Sequence, residues 1–150
     1  MQGLSLYISK EFNHVVKKQY FTIDQAKKVL PEIKPLLKEL MQLYQELGIN
    51  ENISVIYEEP FQETYAHVKN ELFFHKKSYR CLKLIKQLMQ FGVFVKDPRI
   101  GLIDFYSTHQ NKEIFLCYRY PEKTIEFWHS EESGYEGRKH ISLLNETKEI

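Results

Sequence analysis

From Ala26 onward, Leu30, Ile33, Leu37, Leu40, Tyr44 and Leu47 recur in alternating steps of four and three. A heptad stripe of this kind belongs to a helix that buries one seam against a partner. A second stripe follows in Tyr65, Val68, Leu72, His75, Tyr79, Leu82, Ile85 and Met89. Two such stripes on one chain restrict the fold sharply, since most helical stability comes from packing an amphipathic face. The spacing predicts a long antiparallel helical hairpin.

Local signals place its ends. Thr22-Ile23-Asp24-Gln25 reads as a capping box, and Phe21 and Ala26 stand where a hydrophobic staple would. Pro31 and Pro35 each remove a backbone donor, which predicts a kink or break near Leu30–Pro31. Gly48 suits the end of the first helix, and the acid-rich stretch 49–59 the connection. Pro60 suits a first turn, so the second helix is expected to reach Phe91 over about 30 residues, or roughly 45 Å.

Beyond Gly92 the apolar period falls to two. Val93–Lys96 is short, and Leu102–Ser107 and Glu113–Arg119 flank a turn at Gln110-Asn111. Setting Thr108 opposite Glu113 gathers Ile103, Phe105, Ile114, Leu116 and Tyr118 on one face. Carrying that alternation across Tyr120–Lys123 adds Ile125, Phe127 and His129. The other face then holds Leu102, Asp104, Tyr106, Phe115, Cys117, Arg119, Glu126 and Trp128. The expected fold is α+β: the helical hairpin, its first helix kinked at Pro31, packed with an antiparallel meander of three to four strands. Residues 22–141 form the single domain, 1–21 an extension of weak strands, and 142–150 a tail.

Composition narrows the function classes. The 150 residues suit one domain, and 21 basic against 20 acidic side chains give no global pull toward nucleic acid or membrane. An aromatic content of 14% argues against disorder. Two cysteines exclude a disulfide scaffold, and with no leader-like start or membrane-length apolar run the expected location is cytoplasmic.

The motifs also resemble a known family. Tyr20-Phe21-Thr22-Ile23-Asp24-Gln25-Ala26 with Leu30-Pro31 is similar to the start of an uncharacterised bacterial family, domain-of-unknown-function family 2203. Gly92-Val93, Lys96-Asp97-Pro98, Gly101-Leu102-Ile103-Asp104-Phe105, Leu116-Cys117-Tyr118-Arg119, Trp128-His129, Gly134-Tyr135 and Gly137-Arg138 resemble its second half. The chain departs at Tyr106, Tyr118 and His140, where the family pattern has Pro, Trp and Pro. The resemblance implies paired long helices with a small sheet and implies no activity.

Several constellations could carry chemistry. Asp104, Arg119, Glu126, Trp128, His129 and Arg138 converge on the sheet, where an Arg fork beside an aromatic platform could hold a small anionic ligand. The plainer alternative is a structural ion pair and an ordinary cross-strand aromatic pair. The Gly134–Arg138 loop could approach a ligand closely or could simply be a tight turn. Glu63, His67, Glu71 and His75 recur every four residues on the second helix, a spacing open to a metal, although the first helix offers too few ligands and ordinary helical pairing explains it as well. Lys69, Lys76, Arg80 and Lys83 make a basic stripe that could meet nucleic acid or lie in water. Cys81 and Cys117 have no histidine at useful spacing and are expected to be buried, reduced thiols rather than nucleophiles; no metal site and no cofactor are expected.

Function is accordingly expected in one of three forms, of which the sequence favours the first and ranks the third lowest. The first is a non-catalytic interaction or scaffold module that dimerises through its helices. The second is a ligand-binding protein or enzyme using the sheet, and the third binds nucleic acid along the basic stripe. No nucleophile–base pair, phosphate loop or dinucleotide fingerprint reads from the sequence.

Overall fold

Thr22 opens the first helix, α1 (Ile23–Glu46): its hydroxyl accepts from the Gln25 amide while the Gln25 side chain accepts from the Thr22 amide. The computed structural model describes residues 18–48 and 65–144, the side chains of 65–74 excepted. Pro31 and Pro35 sit inside α1, which runs unbroken through both. The expected break does not occur. Both prolines lie on the exposed side, where water can serve the carbonyls they leave without a partner.

The second helix, α2 (Tyr65–Gln90), has 26 residues. Its expected start at Pro60 falls in residues 49–64, which with the acidic connection and Glu63 lie outside the described residues. Its buried face is formed by Ser78, Cys81, Leu84 and Leu88, while Tyr79 is exposed. The buried stripe therefore lies one position before the expected Tyr79, Leu82, Ile85 and Met89. Leu82, Ile85 and Met89 are half-buried flanks of a broad apolar arc, and the small Ser78 and Cys81 mark its centre. Arg80 forks onto Glu39 at 2.8 and 3.0 Å, and Lys77 pairs with Glu46, joining the polar flanks of the helices.

Five strands follow, each antiparallel to the next in the order β1 (Val93–Asp97), β2 (Leu102–His109), β3 (Lys112–Arg119), β4 (Phe127–Ser130) and β5 (Lys139–His140). The expected three to four strands become five because β5, only two residues long, carries no alternation for a sequence to show. Gln110 and Asn111 both take positive φ in the two-residue turn between β2 and β3, and Thr108 faces Glu113 as expected.

That register sends Ile103, Phe105, Ile114, Leu116 and Tyr118 to the inner face, toward Ala26, Leu30, Ile33, Leu37, Leu40 and Tyr44 of α1. The stripe from Ala26 to Tyr44 is thus buried within a single chain, with Leu47 half-buried against it. Residues 18–21 run beside β2, where the Phe21 amide donates to the Tyr106 carbonyl at 2.7 Å and the Ser107 hydroxyl to the Phe21 carbonyl at 2.6 Å. A Cβ on Gly92, at φ +87°, would stand 2.9 Å from the Phe21 ring, so this close approach requires glycine.

The last strand departs from expectation by one residue. Cys117 faces Phe127 rather than Glu126, Leu116 faces Trp128, and Phe115 faces His129. Trp128 therefore belongs to the inner face, packed against the core, and Phe127 and His129 to the outer one. The cause is the connection between β3 and β4, where Ile125 and Glu126 are irregular and Ile125 turns into the core. Alternation holds only along extended, paired chain, so parity is lost there. At the other end, residues 1–17 and 145–150 lie outside the described residues, and Ile141–Leu144 form a 3-10 turn whose first amide donates to the Glu126 carbonyl. No helix among the described residues is long and apolar enough to cross a membrane.

Candidate functional site

Asp104 is the third residue of β2, between the inner-facing Ile103 and Phe105, so the pleat turns it outward. Outward is not into water here: only 1% of Asp104 is exposed. Cys117 lies directly across on β3, and His129 arrives from β4 stacked on Phe115 with ring centroids 5.3 Å apart. Lys96 of β1 spans the rings of Phe94 and Phe115, and its ammonium reaches 3.9 Å from the Asp104 carboxylate. Four neighbouring strands thus supply one carboxylate, one thiol, one imidazole and one ammonium to the same spot.

The hydrogen bonding of His129 is specific. Its Nδ1 lies 2.8 Å from the Ser130 carbonyl, which can only accept, so Nδ1 carries the hydrogen. Its Nε2 points at Asp104 Oδ2, 3.1 Å away. Two acceptors cannot face each other in a buried site, so a proton or another cation must lie between them. With a proton there the pair is an imidazolium and a carboxylate. Burial opposes the charge on His129, but the Asp104 and Ser130 acceptors outweigh it and hold its pKa above the ordinary value.

The remaining polar atoms are less well served. Asp104 Oδ1 is buried without a hydrogen-bond partner. Cys117 is wholly buried, and desolvation first, then the nearby Asp104 charge, push its pKa up to about 12 against the opposing influence of Arg138. As it stands the thiol is inert. The Asp104 carboxylate, Cys117 Sγ and a His129 ring nitrogen all lie within 4.8 Å of one another, and no other such trio of ligating groups occurs among the described residues.

Arg119 does not join this trio, and Arg138 meets it only at Cys117, where its charge and a side-chain hydrogen bond favour the thiolate. Arg119 faces Leu102 rather than Asp104 and donates to the Tyr135 hydroxyl at 2.8 Å. Arg138 donates to Glu122 at 2.7 Å, its guanidinium set against the Phe127 and Tyr135 rings. Glu122 also accepts from the Arg119 amide, which closes a satisfied network beside the 3-10 turn Tyr135–Gly137. Glu126 is exposed and outside the strand, and Trp128 is on the inner face with its indole nitrogen buried and unpartnered. Of the six expected site residues, the structure brings together Asp104 with His129, and Arg119 with Arg138 at the Tyr135 hydroxyl, Arg138 also acting on the Cys117 thiol. The residue missed was Cys117. The β2–β3 register already set it opposite Asp104, but its histidine partner depended on the β4 register.

Elsewhere, Arg80 is engaged by Glu39, and Lys83 lies over the exposed Tyr79 ring. Lys76 is exposed, and the side chains of Lys69, His67 and Glu71 lie outside the described residues. A profile described as an uncharacterized conserved protein (DUF2203) matches residues 19–141. No curated protein and no solved structure matches the chain.

Proposed function

The chain belongs to the DUF2203 family, and from that premise we propose that it is a small-ligand-binding protein whose site is the buried polar cluster of Asp104, Cys117 and His129 on the outer face of the sheet. The observation that carries this reading is Asp104 itself, a sealed carboxylate with one oxygen paired to His129 and the other to nothing. Placing charge in a dry site costs several kcal/mol per ion, and a sheet needed only for packing gains nothing from it. The donors at the centre accept protons and cations. The two arginines first expected to anchor an anion are taken up by Glu122 and Tyr135.

In this reading the two helices are an antiparallel hairpin that backs the sheet. A self-associating scaffold would use the α1 stripe, yet that stripe is already spent on the chain's own sheet and second helix. Nucleic-acid binding would use the basic flank of α2, where Arg80 is already paired to Glu39.

A thermal-shift screen across divalent metals, amines, nucleotides and small anions tests the proposal. A ligand at 100 times its dissociation constant stabilises by about 2.7 kcal/mol, a readily measured shift. The expected result is a shift in wild type that Asp104→Asn abolishes. A shift of equal size in both proteins places the ligand elsewhere and removes the reading.

A further inference from the structure

The ligand chemistry can be taken one step further, resting on the site just proposed. We infer that Asp104, Cys117 and His129 form a three-residue site for one thiophilic divalent transition metal of the zinc type, with its fourth position open. Three features argue for it. The donor set is one carboxylate oxygen, one imidazole nitrogen and one sulfur, the mixture that zinc, cobalt and nickel take and that magnesium and calcium avoid.

The second feature is the histidine. Its Nδ1–H is fixed on the Ser130 carbonyl, which leaves Nε2 to offer a lone pair toward Asp104. A ligating histidine commonly has this arrangement, its other nitrogen donating to a carbonyl that fixes ring and tautomer. The third is distance. Two ligands at about 2.0–2.1 Å from a tetrahedral ion stand about 3.3 Å apart. His129 Nε2 and Asp104 Oδ2 are 3.1 Å apart, and Cys117 Sγ, an Asp104 carboxylate oxygen and a His129 ring nitrogen lie within 4.8 Å of one another, so a side-chain adjustment that draws the sulfur in completes the site. The unpartnered Oδ1 of Asp104 is free to share in the binding. The metal takes the place of the proton between His129 Nε2 and Asp104, and as the metal–sulfur bond forms both that proton and the thiol proton leave to solvent.

Lys96 gives this site a distinguishing property. Its ammonium, carried on a half-exposed side chain, stands 3.9 Å from Asp104 Oδ2 and is the cation that a metal must displace on the carboxylate side, as Arg138 is beside Cys117. Removing it should tighten metal binding, whereas a purely structural ion-pair cluster would only be weakened by its loss.

The experiment uses the purified full chain with Co2+ as a spectroscopic probe and Zn2+ as competitor. One equivalent of Co2+ should bring up visible d–d bands and a near-ultraviolet thiolate-to-cobalt charge-transfer band, both erased by excess Zn2+. Cys117→Ser should lose the charge-transfer band, and His129→Gln should weaken binding roughly 10- to 100-fold or more. Lys96→Met should tighten it at least about fivefold. Cys117→Ser is nearly isosteric, which keeps the test usable if a charge-altering variant fails to fold. A charge-transfer band that survives in Cys117→Ser overturns the proposal, as does the absence of any band in both wild type and Lys96→Met. If the metal arm fails while an amine or another small molecule still gives an Asp104-dependent thermal shift, the ligand site stands and only the metal falls. If neither appears, both readings fall and the cluster is an imidazolium–carboxylate pair alone.

Discussion

Along β2, Ile103 and Phe105 turn to the helices while Asp104 between them turns away, and all three are shielded from water. The two faces of the sheet are equally dry at their centres and opposite in chemistry. On the inner face, burial of Ile103, Phe105, Leu116 and Tyr118 against α1 is favourable throughout, at about 25 cal/mol per Å² of apolar surface. On the outer face the same strands enclose a carboxylate, an imidazole and a thiol, each of which loses hydration on folding. One face is where stability is made. The other is where some of it is given up.

The largest expected effect tests the first half of that contrast. Phe105→Ala should destabilise by about 3–5 kcal/mol in urea unfolding, since its ring is fully buried and edge-packed on Phe21 at 5.2 Å. A cost below about 1 kcal/mol would mean that the inner face is not the core. Next comes the outer face. Asp104→Ala strips His129 of its partner and should cost about 3 kcal/mol. Replacing both together, as Asp104→Leu with His129→Leu, should return stability to within about 1 kcal/mol of wild type, because an apolar pair needs no hydration. If the double variant is as unstable as the single, the cluster is a structural element and the contrast between the faces disappears.

A smaller effect probes one of the two unsatisfied polar atoms on the inner face among the described residues, the other being the Trp128 indole nitrogen. The Tyr118 hydroxyl is buried without a hydrogen-bond partner, and burial pushes its pKa up to about 12. Tyr118→Phe should therefore be neutral or stabilise by up to about 1 kcal/mol. A clear loss in thermal melting would show that the hydroxyl is satisfied in solution.

The contrast also explains how much could be read from the residues. The capping box at Thr22, the α1 stripe and the β2–β3 register were all legible, because each is set by a local period or by a tight two-residue turn. Asp104 and His129 were picked out as polar groups on a sheet. Their pairing was not legible, nor was the role of Cys117, since both depend on which way the chain leaves an irregular stretch at Ile125-Glu126. The phase of α2 was missed for a related reason. Leu82 and Ile85 are as apolar as Leu84 and Leu88, so only the neighbouring helix and sheet decide which pair is innermost.

The smallest effect asks whether acid is felt by the charged rim and not by the apolar face, whose residues do not titrate between pH 2 and 7. Asp97, at the end of β1, accepts from the Arg99 guanidinium at 2.7 and 2.9 Å and from the Arg99 amide at 3.0 Å. The Arg99 side-chain hydrogen bonds foremost, against some desolvation, hold its pKa below the ordinary carboxylate range. A depressed folded pKa stabilises at pH values above the unfolded one and loses that contribution as pH falls through the folded one. With Asp97 partly exposed and its partner only two residues away, the contribution at pH 7 is at most about 1 kcal/mol. Asp97→Asn should show that deficit near neutrality, and the two proteins should converge as the pH is lowered from about 4 toward 2. Titrations elsewhere, such as Glu113 with Lys18, are common to both proteins and cancel in the difference. Urea midpoints measured across that range decide it: a gap that stays constant into acid means that Asp97 acts through the hydrogen bond to the Arg99 amide and not through its charge.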